Sequence, residues 1–261
     1  MSHPSEESVV EYAGKHAVEY VEESAAYESP GRGDRALLLH RPVGVPSAAV
    51  VLFHGGGWRA GFPEQLVPQC RRLASAGVLA ASAGYGLIGR DSTGIEGCAA
   101  DARAAVEHVR RLAPGVPLFV GGGSAGGQLA LREALDGGLR IAGLLLFNPV
   151  VDLCAAGPAG ELLRETAGLD AARAEAVCPL HLVRPGAPPA IVFHGTADTI
   201  VLIGDARRFR DAMRASGNGC ELVTYEGAPH GFFNPGAEKK SWHEEPMGLA
   251  VSFVRRVAEG E

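Results

Sequence analysis

Gly121-Gly122-Gly123-Ser124-Ala125-Gly126-Gly127 decides the reading of this chain. It follows the apolar run Val116-Pro117-Leu118-Phe119-Val120 and precedes Gln128-Leu129-Ala130-Leu131. Apolar run, glycine-rich turn and helical start predict strand, sharp turn and helix, with the Ser124 hydroxyl lifted to the end of a sheet. A serine held in such a turn needs small neighbours, and Gly122 and Gly126 leave room where side chains would meet the adjoining strand and helix. The spacing is G-x-S-x-G, the nucleophile elbow. Glycine is abundant in this chain, 36 of 261 residues, so the stretch is also readable as a plain turn, and its surroundings must decide.

Working outward, the apolar runs at residues 48–53, 78–83, 118–120, 141–147, 190–193 and 222–225 read as buried strands. Helical spacing falls between them, at 65–76, 98–112, 127–135, 204–216 and 244–258. Ala99, Ala102, Val106 and Val109, for example, share one helical face while Asp101, Arg103, Glu107 and Arg110 look elsewhere. Alternation of this kind predicts an α/β fold with a mostly parallel sheet covered by helices on both faces, because parallel strands rejoin their sheet through right-handed crossovers. Ligands then gather at the carboxyl ends of the strands. Upstream, Val18 to Val21 and Ala25 to Tyr27 are short strand signals separated by Pro30-Gly31-Arg32-Gly33-Asp34 from Ala36 to His40, an antiparallel entry to the sheet.

Residues 1–16 read as a flexible or helical leader, and 17–261 as a single domain. Residues 152–189 break the rhythm with alanines, scattered charges and five prolines, and read as an insertion with short helices at 160–167 and 170–176, either a lid or a surface excursion. A hydrophobic content of 46% is enough for a full core. The net charge of −6 argues against nucleic acid or an anionic membrane as partner. The polar start has neither the basic nor the apolar part of a secretory signal, so a cytoplasmic protein is expected. Cys70, Cys98, Cys154, Cys178 and Cys220 are scattered and odd in number, which suggests neither a disulfide framework nor a zinc site.

A serine hydroxyl is a poor nucleophile at neutral pH, so an elbow calls for a histidine to take its proton and a carboxylate to orient that histidine. Asp198 follows the run 190–193 and His230 follows 222–225, both in loops at strand ends. Alone, Asp198 is equally a turn or cap carboxylate, and His230 a loop histidine bonded to backbone. In the order Ser, Asp, His they support one another. His54-Gly55-Gly56-Gly57-Trp58, directly after the strand 48–53, supplies backbone N–H groups for a developing oxyanion, and Gly56, Gly57 and Ala125 are the assigned donors. His54 is expected to brace this loop. The glycines form neither a P-loop nor a dinucleotide fingerprint. Trp58, Tyr85, Phe232 and Phe233 flank these turns as candidate pocket residues. The stretch Lys239-Lys240 with Trp242-His243 reads as a solvated approach to the last helix.

These four segments, His54 to Trp58, Gly122 to Gly127, Gly195 to Asp198 and His230 to Phe232, together resemble the α/β-hydrolase superfamily. The branch they resemble most holds the hormone-sensitive-lipase-like esterases and the dienelactone hydrolase and feruloyl or acetylxylan esterase-like proteins. The resemblance, over residues 20–258, implies an eight-stranded sheet with its second strand antiparallel, Ser124 as nucleophile, His230 as base, Asp198 as its orienter and the same three oxyanion donors. It implies a serine carboxylesterase for short-chain, acetyl-like esters, acting through an acyl-enzyme on a small-molecule substrate without a metal or organic cofactor. A peptidase or amidase, and a hydrolase fold recruited for binding or for non-hydrolytic acyl transfer or cyclisation, are the alternatives. Where such esterases commonly carry Asp-Tyr-Arg-Leu, this chain has Gly84-Tyr85-Gly86-Leu87, so an internal charged pair is expected to be missing beside the oxyanion loop.

Overall fold

The computed structural model describes residues 18–92, 94–236, 238–239 and 241–260; the leader at 1–16 lies outside them. Eight strands form one sheet: β1 (Tyr20–Ser29), β2 (Gly33–Pro42), β3 (Ala48–Phe53), β4 (Val78–Ala83), β5 (Leu118–Gly123), β6 (Gly143–Phe147), β7 (Ala190–Gly195) and β8 (Cys220–Tyr225). Their spatial order is β1-β2-β4-β3-β5-β6-β7-β8. β2 runs antiparallel to both β1 and β4, and every pair from β4 to β8 is parallel. The two short upstream strand signals are one ten-residue edge strand. Its ladder with β2 runs from Tyr20 opposite Pro42 to Ser29 opposite Gly33, and carries straight through the polar residues between the two apolar patches.

The helices are α1 (Val67–Ala74), α2 (Ile95–Leu112), α3 (Ala125–Leu135), α4 (Pro158–Ala167), α5 (Ala171–Val177), α6 (Pro179–Leu182), α7 (Ile203–Ala215) and α8 (Ser241–Glu259). A 3-10 turn, Pro63–Leu66, leads into α1, so the segment expected to begin at 65 starts at a proline, which fits a first helical turn because its missing N–H is not needed there. The strands read as unbroken apolar runs because both faces are covered. In β3, Ala49, Val51 and Phe53 join the core shared with α2, α3 and α7, while Ala48, Val50 and Leu52 join the core under α1 and α8. Each fully buried Leu or Phe in these layers contributes about 1.5–3 kcal/mol of hydrophobic stabilisation. Trp242, expected to be solvated, is instead buried in the α8 layer, with the Lys239 ammonium 4.8 Å from its ring centroid.

The charged cluster expected to be missing is present, drawn from other elements. Asp101 of α2 is fully buried beside Gly86 and accepts from the Gly86 N–H at 2.7 Å. Arg32 and Arg35 of the β1–β2 hairpin reach its two oxygens at 2.7 and 3.0 Å, and the Ser29 hydroxyl donates to it as well. Burial pushes the Asp101 carboxyl up, but these donors outweigh it and hold the group below the usual carboxylate range. The absent side chain at Gly86 is what admits the arginines, since a Cβ there would meet Asp101 and both guanidinium groups.

Between β6 and β7 the chain forms α4, α5 and α6. These helices pack through Leu163, Ala167, Ala174 and Val177 onto the α3 side of the sheet.

Candidate active site

The parallel strands present their carboxyl ends along one edge, and the loops that follow β3, β5, β6, β7 and β8 meet there. Ser124, between β5 and α3, has φ 52° and ψ −118°. A non-glycine residue with this backbone costs about 1–3 kcal/mol and persists only where its surroundings impose it. They do so here: the Ser124 N–H donates to Phe147 O at 3.0 Å, and its carbonyl accepts from Val150 and Gln128. Gly122 and Gly126 cross so closely under β3 that a Cβ on either would overlap Phe53 O, which is the steric reason for glycine on both sides of the serine.

Asp198 and His230 stand in loops stitched to each other. Thr196 N–H donates to Tyr225 O, Ala197 N–H to Ala228 O, and Gly227 N–H to the Thr196 hydroxyl. One Asp198 oxygen accepts the N–H groups of Ile200 and Val201, each at 2.9 Å. The other lies 2.7 Å from His230 Nδ1. Burial raises the Asp198 carboxyl, but the His230 ring and the two backbone donors more than offset this and hold it below its ordinary value. An ionised carboxylate only accepts, so Nδ1 carries a ring proton, and in the neutral ring Nε2 is the bare nitrogen. That bare nitrogen lies 3.0 Å from Ser124 Oγ. The structure therefore brings together the three residues that the sequence places 74 and 32 positions apart.

Gly56, Gly57 and Trp58 follow β3 with φ of 116°, 59° and 60°, a left-handed run. The Gly56 carbonyl accepts from Arg59 and Ala60 N–H. No protein acceptor engages the N–H groups of Gly56, Gly57 or Ala125 among the described residues. Ala125 N–H belongs to the first turn of α3, whose end carries the positive pole of the helix. His54 bonds Gly55 O through Nδ1 at 2.7 Å and stacks on Tyr85, with ring centroids 4.3 Å apart, so it braces the loop as expected. Burial pushes its imidazole down to about 4, which keeps it neutral.

The four candidate pocket aromatics have almost no surface to offer. Trp58 is wholly buried and donates its indole N–H to Gln128; Tyr85 donates its hydroxyl to His54 O. Phe232 and Phe233 pack on each other and, respectively, on Tyr225 and Phe147. All four aromatics wedge the turns they flank in the sequence against the core.

Sequence reasoning missed several positioning residues. Asn148, wholly buried with φ 36° at the end of β6, accepts Gly231 N–H through its side chain and so fixes the histidine loop. Gln128 joins the Trp58 indole to the Val177 carbonyl at the end of α5. Thr166 of α4 sits over Gly57, where a Cβ would come within 2.8 Å of its methyl, and its carbonyl holds Arg59. His194, buried on β7, bonds Val201 O at 2.9 Å and lies 3.5 Å from Asp198. Only the strand-end location of Asn148 was a signal; the others depend on contacts between distant segments.

A family model described as alpha/beta hydrolase fold matches residues 50–234. Among solved structures, Thermogutta terrifontis esterase 2 phosphonylated by sarin is 34% identical, covers 92% of this chain and 95% of its own, and superposes with a TM-score of 0.81. The same thermophilic esterase with propionate bound is 35% identical, with coverages of 90% and 94% and a TM-score of 0.78. A curated relative, the FAD-linked oxidoreductase pytB of Aspergillus terreus, is 30% identical over 222 residues; the match takes in 74% of this chain but spans only 27% of that protein. The length of the family match and the near-complete esterase superposition agree with the elbow, the loop order and the sheet, and the chain belongs to the α/β-hydrolase fold family.

Proposed function

We propose that the protein is a serine carboxylesterase that cleaves short-chain, acetyl-like esters through an acyl-enzyme. The observation that carries this reading is the relay from Asp198 to His230 Nδ1 and from Nε2 to Ser124 Oγ, with hydrogen bonds of 2.7 and 3.0 Å. As Ser124 Oγ attacks the ester carbonyl, its proton passes to Nε2, and the Asp198 carboxylate stabilises the imidazolium. The negative charge that grows on the carbonyl oxygen is received by the N–H groups of Gly56, Gly57 and Ala125, which have no competing protein acceptor among the described residues. One such donor is worth about 3 kcal/mol in the transition state. The imidazolium then protonates the departing alcohol, and a water molecule, deprotonated by the same nitrogen, releases the acid and restores Ser124.

The short-chain preference is supported by the Thr166 methyl over Gly57, which limits space beside the oxyanion loop, and by the propionate held by the Thermogutta esterase. No helix among the described residues is long and apolar enough to cross a membrane. The odd number and scattered positions of the five cysteines in the sequence support a cytoplasmic setting. A fluorophosphonate probe tests the nucleophile, and a series of p-nitrophenyl esters from acetate to octanoate tests the acyl preference. Stoichiometric labelling of Ser124 with kcat/KM falling as the chain lengthens is expected. Absence of labelling would favour a binding role, and labelling without ester turnover would favour non-hydrolytic acyl chemistry.

A further inference from the structure

The segment between β6 and β7 leaves and re-enters the fold through a narrow neck. Cys154 stands at its exit, Cys178 follows α5, and His181 lies on α6. The two sulfur atoms and a ring nitrogen of His181 all lie within 4.8 Å of one another, with Cys154 Sγ 4.0 Å from His181 Nδ1. Asp152 adjoins them: its Oδ1 accepts Cys154 N–H at 2.8 Å and is 3.6 Å from Cys178 Sγ. Its other oxygen is held by Arg208 at 2.7 Å.

We propose that this neck is a binding site for a soft divalent cation, best matched by zinc, with Cys154 Sγ, Cys178 Sγ and His181 Nδ1 as ligands and Asp152 as the neighbouring anion. In a tetrahedral zinc site with Zn–S near 2.3 Å and Zn–N near 2.0 Å, ligand atoms stand about 3.5–3.8 Å apart, so the three side chains need to close by at most about 1.3 Å. Two thiolates and an imidazole select zinc over magnesium or calcium, which take oxygen ligands. Each thiol gives its proton to solvent as its sulfur takes the cation, and the two resulting negative charges balance the dication. Cys178 is buried, Cys154 half-buried and His181 exposed, which leaves an entry path and an open fourth position on the histidine side.

The site joins the two ends of the segment that carries α4 and α5, so an ion there closes the loop from 154 to 178 in the folded state. It also lies one residue from a hydrogen-bonded link to the loop after β3. Val177, next to Cys178, accepts from Gln128, and Gln128 holds Trp58. The inference concerns binding alone and is independent of the reaction at Ser124.

The test uses the reduced, metal-free full-length chain titrated with cobalt(II), followed by displacement with zinc against a chromophoric chelator. One equivalent of cobalt is expected to produce a thiolate-to-cobalt charge-transfer band and intense visible bands of a tetrahedral ion, both abolished by zinc. Cys178→Ser should reduce the charge-transfer band by about half or more, and His181→Ala should weaken zinc binding at least tenfold. His181 is exposed, so that variant keeps the test valid if Cys178→Ser misfolds, and far-UV circular dichroism checks both. Zinc should also raise the Tm of the wild-type chain but not that of His181→Ala. Absence of the charge-transfer band, or unchanged affinity in His181→Ala, would overturn the proposal. So would a reduced chain that binds no zinc while its aerated form loses two hydrogens to a Cys154–Cys178 disulfide.

Discussion

At the scale of single residues, the proposed chemistry concentrates in a few atoms whose surroundings leave them little freedom. Ser124 is held at positive φ by backbone bonds to β6 and to the loop beyond it, so its hydroxyl stays at hydrogen-bond distance from His230. Ser124→Ala is expected to keep the fold and lower kcat on p-nitrophenyl acetate by on the order of 10⁴ to 10⁶-fold. Retention of the native rate would remove the serine from the mechanism. Gly57 offers a finer probe, because its φ of 59° and the Thr166 methyl above it both oppose a side chain. Gly57→Ala should lower kcat about 10 to 100-fold by displacing an oxyanion donor. Adding Thr166→Ser, which removes the opposing methyl, should recover part of that loss. If the double variant is no better than the single one, the clash with α4 is not what moves the loop.

At the scale of elements, the sheet edge and the α4–α6 segment are joined by one amide. Gln128, on the helix that begins at Ser124, is wholly buried and serves the Trp58 indole and the Val177 carbonyl at once. Gln128→Ala leaves both partners without a bond, and a buried orphan of this kind costs about 1–3 kcal/mol. The urea midpoint should therefore fall by the equivalent of about 2–4 kcal/mol. KM should rise as the oxyanion loop loses its tie to α5, and an unchanged midpoint would mean that water replaces the amide. The strands were legible in sequence as continuous apolar runs because both faces of the parallel sheet are dry. The segment between β6 and β7 was legible only as an interruption. Its helices are short, and their positions are set by contacts with α3 and the oxyanion loop rather than by a long period of their own.

For the whole molecule, pH acts through histidines that folding buries. Burial drives His40 and His54 each down to about 4, against an ordinary value near 6.5. Between those two values the unfolded chain binds protons that the folded protein refuses, so stability falls as pH drops through that window and is fully present above it. Each histidine accounts for up to roughly 3 kcal/mol over the whole window, and about 2 kcal/mol by pH 5. Urea unfolding near neutral pH and near pH 5 should show the loss, and His40→Gln should make the dependence shallower by close to one proton. Burial also raises the Glu133 carboxyl to about 7, which works in the opposite sense, so the difference between wild type and His40→Gln carries the test, and an unchanged profile in that variant would contradict the burial of the ring.

The sequence by itself determined the glycine-flanked turn at Ser124, the order of serine, aspartate and histidine, the glycine loop after β3 and the alternating fold. Each of these is written locally, as a steric need for glycine, a strand-end loop or a hydrophobic period. Only the tertiary structure decided what depends on distant segments meeting. It put Arg32 and Arg35 on Asp101 beside Gly86, where the sequence alone suggested a missing charge pair. It buried Trp58, Tyr85, Phe232 and Phe233 against the core, because no local pattern tells which face of a turn an aromatic ring will take. It also gathered Cys154, Cys178 and His181 at one neck, although their spacing in the chain fits no metal motif. Such a cluster is created by the return of the chain to its point of departure, and that return is fixed by packing over the whole domain.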